Sequence, residues 1–314
     1  MFNLLLQFGE KNYLIGTPEY DKHFWNAMRG AKIDTALEAG RSSVTNSYAL
    51  PSAANNKYTA ALATESLFRQ IGTTVMAYDS EYRIFAHDCD DLAQWVPEGG
   101  KLPIFDGAND FTRYKVDSWK LGALVKLDED FVRDATFNVE DYLVRRLAKN
   151  FGRAEDAAFI SGTSEQMPTG ILNATGGAEI GCTGSITYDD VIKLYFSVKP
   201  EYRKNSVWLM NDETALALRT LKDSSGNYLW RDSDDTILGK RVVMNSAMPS
   251  VAAGAKPIAF GDFSYYWVIA RGPVSVVPIM EHFTLNQQIG YLAFEFLDGK
   301  LIRPETIKVL QIAE

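Results

Sequence analysis

The chain has 314 residues, of which 46% are hydrophobic and 23% are charged. These fractions are typical of globular proteins and exclude the low-hydrophobicity, high-charge composition of disordered chains. With 32 Lys and Arg against 40 Asp and Glu, the formal net charge is −8, opposite in sign to the basic surface of proteins that grip nucleic-acid phosphates. The length predicts about two domains with a core that needs no metal or disulfide.

The numbers of cysteines and histidines exclude further classes of protein. The two cysteines are Cys89 and Cys182, so a disulfide framework is excluded and a reducing compartment is expected. Three histidines are too few to favour a multi-His metal site. The sequence has no apolar run of the roughly 18 residues that a transmembrane helix needs, and its start lacks the features of a signal peptide. We therefore expect a soluble protein made in the cytoplasm.

Residues 1–59 predict an extended arm. Short apolar clusters such as Phe24 and Trp25 are separated by small polar runs, for example residues 51–56, and such runs favour turns. A structureless segment of this length is unusual inside a compact monomer. Either the arm is disordered or another chain supplies its partner.

Two elements follow the arm. Residues 60–71 predict a short helix that ends at Gly72. Residues 73–127 predict two long strands around a polar excursion, because apolar residues alternate along 119–127 with the period of a half-buried strand. An isolated two-stranded ribbon is marginal in water, so this hairpin also needs a neighbour.

The clearest predicted element is a helix that begins at Asn138 and ends at Gly162. Asn138 is a good N-cap, and Glu140 and Asp141 place negative charge in the first turn. At about 1.5 Å per residue the helix is on the order of 35 Å long. The apolar positions that define its buried stripe are Val139, Leu143, Leu147, Phe151, Ala154 and Ala158.

The second half of the chain predicts a mixture of helices and strands. Residues 185–260 alternate helical and strand patterns and predict a compact α/β or α+β unit. Residues 263–314 predict mostly strands, and the dipeptide Asp298–Gly299 predicts a hairpin turn between two of them.

Sequence motifs of catalysis are missing: there is no G-x-S-x-G elbow, phosphate loop, G-x-G-x-x-G or H-E-x-x-H string. The polar cluster 87–91 is interpreted as a solvated hairpin edge, because adjacent residues of an extended segment point to opposite faces. The acidic run 232–235 is interpreted as a solvated loop, Cys182 as an incidental thiol, and the aromatic run 265–267 as a buried or interface strand. We therefore predict no catalytic, cofactor-binding or metal-binding residues.

Several strings occur in the order and spacing of one known family. They are Trp95-Val96-Pro97-Glu98-Gly99-Gly100, residues 120–127, Gly162-Thr163, residues 168–173, Leu221-Lys222-Asp223, residues 226–229, Gly261-Asp262-Phe263 and Arg303-Pro304. Through these strings the chain resembles the major capsid proteins of tailed bacteriophages, which share the Hong Kong 97 fold. The resemblance covers roughly residues 20–312, and it depends on the joint order of the strings.

The resemblance implies an α+β, Hong Kong 97-type fold. The implied segments are an N-terminal arm (1–72), an E-loop hairpin with its flanking strands (73–127), a P domain with a long spine helix (128–184), an A domain (185–262), further P-domain strands (263–297) and a C-terminal return to the A domain (298–314). The arm and the hairpin would then be inter-subunit clamps. The candidate contacts are Trp95, Pro97, Glu98 and Lys101 in the E-loop and Phe24 and Trp25 in the arm.

The implied function is self-assembly into hexamers and pentamers that close into an icosahedral shell around a phage double-stranded DNA genome. Overlapping clamps tie each chain to several neighbours, so weak contacts add avidity. The implied partners are further copies of the chain, a scaffolding protein, a portal and a decoration protein, with no membrane and no sequence-specific DNA binding. Synthesis would take place in the host bacterial cytoplasm, before incorporation into the virion. The charge of −8 favours an inner wall that does not hold DNA strongly.

Two departures from the family pattern bear on assembly. Some members join subunits by an isopeptide bond between an E-loop Lys and a P-domain Asn, but the matching positions here are Val96 and Gln287. We therefore predict no such crosslink, with Lys101 as the nearest alternative lysine. No long charged segment precedes the arm, so either a scaffold domain was removed or a separate scaffolding protein assists, and Met1 favours the second.

The sequence is also compatible with two other functions. An encapsulin-type nanocompartment would share the fold but enclose cargo enzymes, and the long arm together with residues 168–173 favours the phage interpretation. An enzyme with a noncontiguous site would need a pocket with converging, pKa-shifted groups.

Overall fold

A computed structural model describes residues 14–77, 83–87, 93–101, 104, 111–134, 136–230 and 235–314. The helices are α1 (Pro18–Met28), α2 (Ser52–Glu65), α3 (Leu67–Ile71), α4 (Glu129–Arg133), α5 (Val139–Ser161), α6 (Tyr188–Ser197), α7 (Pro200–Arg203) and α8 (Asp212–Arg219). The strands are β1 (Tyr48–Ala49), β2 (Thr73–Met76), β3 (Arg83–His87), β4 (Phe111–Lys115), β5 (Trp119–Asp128), β6 (Glu179–Gly184), β7 (Val207–Met210), β8 (Thr236–Ile237), β9 (Lys240–Met244), β10 (Ile258–Gly261), β11 (Tyr266–Ala270), β12 (Ser275–Ile279), β13 (Gln288–Leu301) and β14 (Ile307–Ile312). Within these ranges no helix is long and apolar enough to cross a membrane.

The first of two six-stranded sheets is built around the long strand β13. One edge of β13 pairs with β5, and the other edge pairs first with β12 and then with β11. Strands β1 and β2 extend the sheet beyond β12 and β11. In β5 the side chains alternate between less and more exposed positions, so the strand predicted from the alternation along 119–127 is confirmed.

Helix α1 shows that the predicted extended arm is wrong for the described part of residues 1–59. Pro18 occupies the first turn, and the apolar residues Tyr20, Phe24, Ala27 and Met28 are buried against the first sheet. The Tyr291 hydroxyl of β13 donates a hydrogen bond to the Met28 carbonyl at 2.8 Å. These apolar residues recur at helical spacing. This segment packs against the first sheet of its own chain, so its packing does not require a second chain.

The predicted helix over 60–71 is in fact the end of one helix and the whole of another. Helix α2 begins at Ser52, and the chain becomes extended at Ser66 before α3 begins. The Asp156 carboxylate of α5 accepts hydrogen bonds from the backbone N–H groups of Leu67 at 3.0 Å and Phe68 at 3.3 Å. A side chain from a distant helix thus caps α3, which ends at Gly72 as predicted.

Helix α5 confirms the strongest prediction from the sequence. The Asn138 side chain accepts the backbone N–H of Asp141 at 3.1 Å, and Gly162 is the C-cap. The buried stripe departs from the predicted one near its end, where Glu155 and Asp156 are buried while the two predicted alanines are half-buried. The buried stripe therefore continues through two carboxylates.

The second sheet has the strand order β6-β14-β10-β7-β9-β8. Helices α6 and α8 begin at the caps Thr187 and Asn211, and the rings of Trp208 and Phe260 pack 4.1 Å apart in its core. The C-terminal strand β14 lies between β6 and β10. Strand β6 therefore belongs to this sheet, although the predicted P-domain segment 128–184 includes it.

The predicted turn at Asp298–Gly299 is wrong, because β13 continues through both residues to Leu301. They pair with Ile269 and Val268 of β11. A Cβ at position 299 would lie 2.4 Å from the Tyr266 hydroxyl, so this glycine serves close packing. Asp-Gly favours a turn when both residues are exposed, whereas here the Asp298 side chain is buried.

Candidate inter-subunit contact surfaces

The predicted hairpin of two long strands is only partly correct, because the flanking strands β2 and β5 pair with β11 and β13 and not with each other. Between them, the five-residue strands β3 and β4 form an antiparallel ribbon, and its base packs against the first sheet. Ile84 and Val116 are buried in a small cluster that also contains Ile302. The Tyr114 hydroxyl donates to the Ile302 carbonyl at 2.7 Å. Because packing and hydrogen bonds fix both strands at this end, the ribbon leaves the sheet in a defined direction.

Four of the predicted contact residues lie together on the loop 93–101 between the two ribbon strands. All four are exposed, namely Trp95, Pro97, Glu98 and Lys101, and the relative exposure of Trp95 is 103%. The Gly100 N–H donates to the Pro97 carbonyl at 2.8 Å, and Gly99 has a φ of +78°. This is the geometry of a turn that requires glycine at its third position, and it presents the tryptophan next to an ordered bend.

The two predicted contacts in the arm behave differently from each other. Phe24 is 0% exposed, and its ring packs edge-on against Trp25 at 5.0 Å. The Trp25 indole N–H donates to Asp21 at 3.2 Å, and its side chain is half-buried. Helix α1 directs Phe24 into the core of its own chain. Because its side chain is fully buried, the prediction that Phe24 contacts another subunit is wrong. Trp25 remains a candidate.

A partly exposed apolar surface lies on the side of the first sheet opposite α1, α2 and α5, and it was not predicted from the sequence. Leu124 of β5 is 49% exposed, and it pairs across the sheet with Leu292 of β13, which pairs with Val277 of β12. Phe294 lies two residues further along β13 on the same face. We call Leu124, Val277, Leu292 and Phe294 the apolar strip.

Lysines border the apolar strip. The Lys120 Nζ atom lies 5.2 Å from the centre of the Phe294 ring, and the Lys126 Nζ atom lies 5.6 Å from the Phe283 ring. The alternation that located the core face of β5 also places Lys120, Leu124 and Lys126 together on the opposite face. An apolar residue between two lysines on the outward face of a strand was the sequence pattern that could have predicted this exposed apolar surface.

A cavity of about 240 Å³ opens near the apolar strip, beside Phe296 of β13. Its other lining residues include Ile15, Arg41, Ala49, Pro273 and Ser275. The lining is mixed, because Arg41 and Arg271 add positive charge to the apolar surface of Ile15, Pro273 and Phe296.

Behind the strip, a buried cluster of charges joins the helices to the sheet. The Arg69 guanidinium of α3 contacts Glu155 of α5 at 2.6 Å and Glu295 of β13 at 2.9 Å, and all three side chains are at most 5% exposed. The Tyr58 hydroxyl donates to Glu295 at 2.8 Å. Burial raises the pKa of Glu155 to about 7, against the opposing effect of Arg69. We call Tyr58, Arg69, Glu155 and Glu295 the buried charge cluster.

The sequence does contain a signal for this cluster. Glu155 falls at the next four-residue step after Leu147 and Phe151, on the stripe that faces the core. A carboxylate at such a position predicts a buried partner of opposite charge, because unpaired buried charges are strongly disfavoured.

Within the described residues, the other polar residues considered in the sequence analysis do not come together in a catalytic or metal-binding arrangement. Residues 88–91 and 232–234 lie outside the described ranges, while Asp235 pairs with Arg219 at 2.7 Å. The Cys182 thiol lies 3.6 Å from the Asp190 carbonyl, and burial raises its pKa, which disfavours the reactive thiolate. In the described ranges no group of three or more His, Cys, Asp or Glu residues could hold a metal ion.

The aromatic run 265–267 belongs largely to the core. Tyr266 is 0% exposed, and its hydroxyl donates to the Thr169 carbonyl at 2.8 Å. Its ring packs 5.0 Å from Phe68 and 5.4 Å from Phe159. This arrangement supports the buried-strand interpretation over a stacking platform for bases or sugars.

Comparison with known proteins gives a consistent result. The family model described as the phage capsid family matches residues 46–312. The solved chain titled "Capsid of empty GTA particle computed with C5 symmetry" is 29% identical with a TM-score of 0.68, and the match covers 80% of this chain and 90% of that one. The corresponding capsid of the native GTA particle is 29% identical with a TM-score of 0.65 over 79% and 90% of the two chains.

A more distant likeness concerns the fold alone. The chain from Mycobacterium phage Cain is 14% identical with a TM-score of 0.57, and the match covers 79% of this chain and 90% of that one. Among curated proteins, none matches.

Proposed function

The chain belongs to the phage capsid family, and on that premise we propose that it is a major capsid protein whose copies contact one another through the loop 93–101. The observation that carries the proposal is the exposed Trp95 on a ribbon with a fixed base. Buried aromatic anchors dominate the energetics of protein interfaces. An exposed tryptophan two residues before an ordered turn fits such an anchor.

The receiving surface is the apolar strip of a second copy. Burying one tryptophan removes about 150–250 Å² from water, which corresponds to about 4–6 kcal/mol at about 25 cal/mol/Å² before the costs of association. Glu98 follows Trp95 by three residues and complements Lys120 and Lys126, which border the strip. Each contact can be weak by itself, because every chain both gives and receives a loop and ring closure adds avidity.

The assembled state that fits this contact is a closed shell. Copies form hexamers and pentamers that make an icosahedral container around double-stranded DNA, with a scaffolding protein, a portal and a decoration protein as further partners. The chain acts as a structural protein of the virion after synthesis in the host bacterial cytoplasm. The family match and the 29% identity to two GTA capsid chains support this role.

The test is expression of the chain alone, followed by sedimentation and negative-stain electron microscopy. We expect closed shells, hexamers or pentamers from the wild type and a large loss of assembly from Trp95→Ala. The matched control is Phe131→Ala, which removes another exposed aromatic side chain (56% exposed) far along the chain from the loop.

Three outcomes contradict parts of the proposal. A stable wild-type monomer overturns the capsid role. Normal shells from Trp95→Ala overturn the loop contact and leave the capsid role in place. Shells that contain a protein cargo and no DNA assign the chain to the encapsulin-type alternative.

A further inference from the structure

The exposed face of α5 carries a line of positive charge. Arg145, Arg146, Lys149 and Arg153 are all exposed, and 3.6 residues per turn places them within about 100° of the helix circumference. We call these four residues the basic stripe. The basic stripe lies on the side of α5 opposite its buried apolar residues.

The charge of the basic stripe is largely uncompensated. Among the described residues, the carboxylate within 4.0 Å of the stripe is that of Asp141, which lies 3.9 Å from Arg145. On the neighbouring helix α2, Lys57 pairs with Glu140 at the first turn of α5. The whole chain has a net charge of −8, so the stripe is a local excess that runs against the overall composition.

The spacing of the stripe suits a polyanion. Charges one turn apart on a helix are about 5–6 Å apart, and the eight residue steps from Arg145 to Arg153 span about 12 Å. Double-stranded DNA carries one negative charge per about 1.7 Å of its axis, so the stripe can lie against several phosphates at once. Helices present such cations without reading bases.

The two sides of the first sheet therefore differ in chemistry. The side opposite α1, α2 and α5 carries the apolar strip, which fits a protein loop, and the side covered by α5 carries the basic stripe. We propose that the basic stripe binds the phosphates of double-stranded DNA without sequence preference and that the helical side of the sheet faces the packaged genome. This inference rests on the proposed capsid function. The net charge of −8 led us to expect an inner wall that does not hold DNA strongly. The basic stripe would be a local exception to that expectation.

The experiment compares three full-length proteins. The test variant combines Arg145→Gln, Arg146→Gln, Lys149→Gln and Arg153→Gln. The control variant removes the same charge from exposed residues elsewhere, through Lys199→Gln, Lys204→Gln, Lys222→Gln and Arg241→Gln. The unassembled proteins are titrated with a fluorescent DNA duplex of arbitrary sequence between about 50 and 200 mM salt. Nuclease-treated shells of each protein are assayed for protected DNA.

For the wild type we expect the logarithm of the binding constant to fall with the logarithm of salt concentration with a slope of about −3.6, since each of four neutralised phosphates contributes about −0.9. The test variant should bind at least about tenfold more weakly with a slope near zero, whereas the control should retain most of the wild-type slope. Lys149→Gln alone, which leaves the rest of the stripe, should reduce the slope by about one.

Two results overturn the inference. Equal slopes and affinities in the wild type and the test variant show that the stripe does not bind DNA. Failure of the test variant to form shells, with unchanged duplex binding, assigns the stripe to a contact between subunits. Failure of the proposed function is distinguishable from both, because there the wild type itself forms no shells.

Discussion

The Asp298 carboxylate accepts a hydrogen bond from the backbone N–H of Asp117 at 2.8 Å, between positions 181 residues apart in the chain. The same carboxylate accepts the Gly299 N–H at 2.8 Å, and the Lys300 Nζ atom lies 3.6 Å away. Asp117 stands between β4 and β5, where the ribbon joins the sheet. A buried side chain of β13 therefore fixes the position at which the loop-bearing ribbon departs.

Asp298→Asn tests this attachment. The new amide must direct its NH2 group toward one of two backbone donors, so one N–H loses its acceptor. We expect the free energy of unfolding to fall by about 1–3 kcal/mol, with faster hydrogen exchange at Asp117. The exposed Asp130→Asn is the control and should leave both quantities unchanged. Unaltered exchange at Asp117 in Asp298→Asn would show that the contact does not hold the ribbon.

Arg69→Met tests the buried charge cluster. Removal of the cation leaves Glu155 and Glu295 buried without their partner, and broken buried ion pairs cost about 3–5 kcal/mol. We expect a loss of this size in the free energy of urea unfolding of the unassembled chain at neutral pH. Arg133→Met breaks an exposed pair with Glu129 and should cost at most about 1 kcal/mol. Equal losses of unfolding free energy in Arg69→Met and Arg133→Met would show that the buried charge cluster stabilises the chain no more than an exposed ion pair does.

The pKa of Glu155 predicts a pH dependence of stability. Folding raises this pKa from 4.5 to about 7 because of burial, so the folded chain binds the proton more tightly than the unfolded chain. The stabilising contribution is complete below the unfolded pKa and is lost as the pH rises toward the folded pKa. We expect Glu155 to lower the free energy of unfolding progressively between these two pKa values.

Glu155→Gln removes the titrating group and keeps a similar shape. Urea unfolding at a series of pH values should show a flatter profile for this variant than for the wild type across that interval. Glu129→Gln, at an exposed pair, is the control and should keep the wild-type slope. A profile for Glu155→Gln that is parallel to the wild type would mean that another group causes the slope.

Covalent crosslinking is expected to be absent. The positions that match the crosslinking pair are Val96 and Gln287, and Gln287 is an exposed residue with a φ of +52°. Assembled shells boiled in denaturant should therefore give a single band at 35.0 kDa. A ladder of multimers would contradict this, and its loss in Lys101→Arg would identify Lys101 as the lysine involved.

The sequence predicted the elements whose pattern is local. Helix α5 has a cap, charges in its first turn and an uninterrupted period, and β5 has strict alternation, so both were predicted with nearly correct bounds. Helix α1 has the same kind of pattern, but the polar runs that follow it obscured the signal.

The elements that were missed depend on distant partners. Asp298 and Gly299 form a turn signal locally, yet Tyr266 and Phe159 occupy the space that a side chain at 299 would need. The cap of α3 is supplied by Asp156, 89 residues away from Leu67. The apolar strip forms where β5 pairs with β13, a strand that is distant from it in sequence. Single-sequence patterns do not encode such juxtapositions.

The pairing of β5 with β13 also sets an order of events during translation. Trp119 pairs with Leu297 and Leu127 pairs with Ile289, so β5 has left the ribosome long before its partner exists. At about 5–20 residues per second this interval lasts on the order of 10–30 s. Strands β1 and β2 are likewise synthesised long before their pairing partners β12 and β11. A truncated chain that ends before β13 consequently lacks the central strand of its first sheet, and incomplete translation products cannot form that sheet.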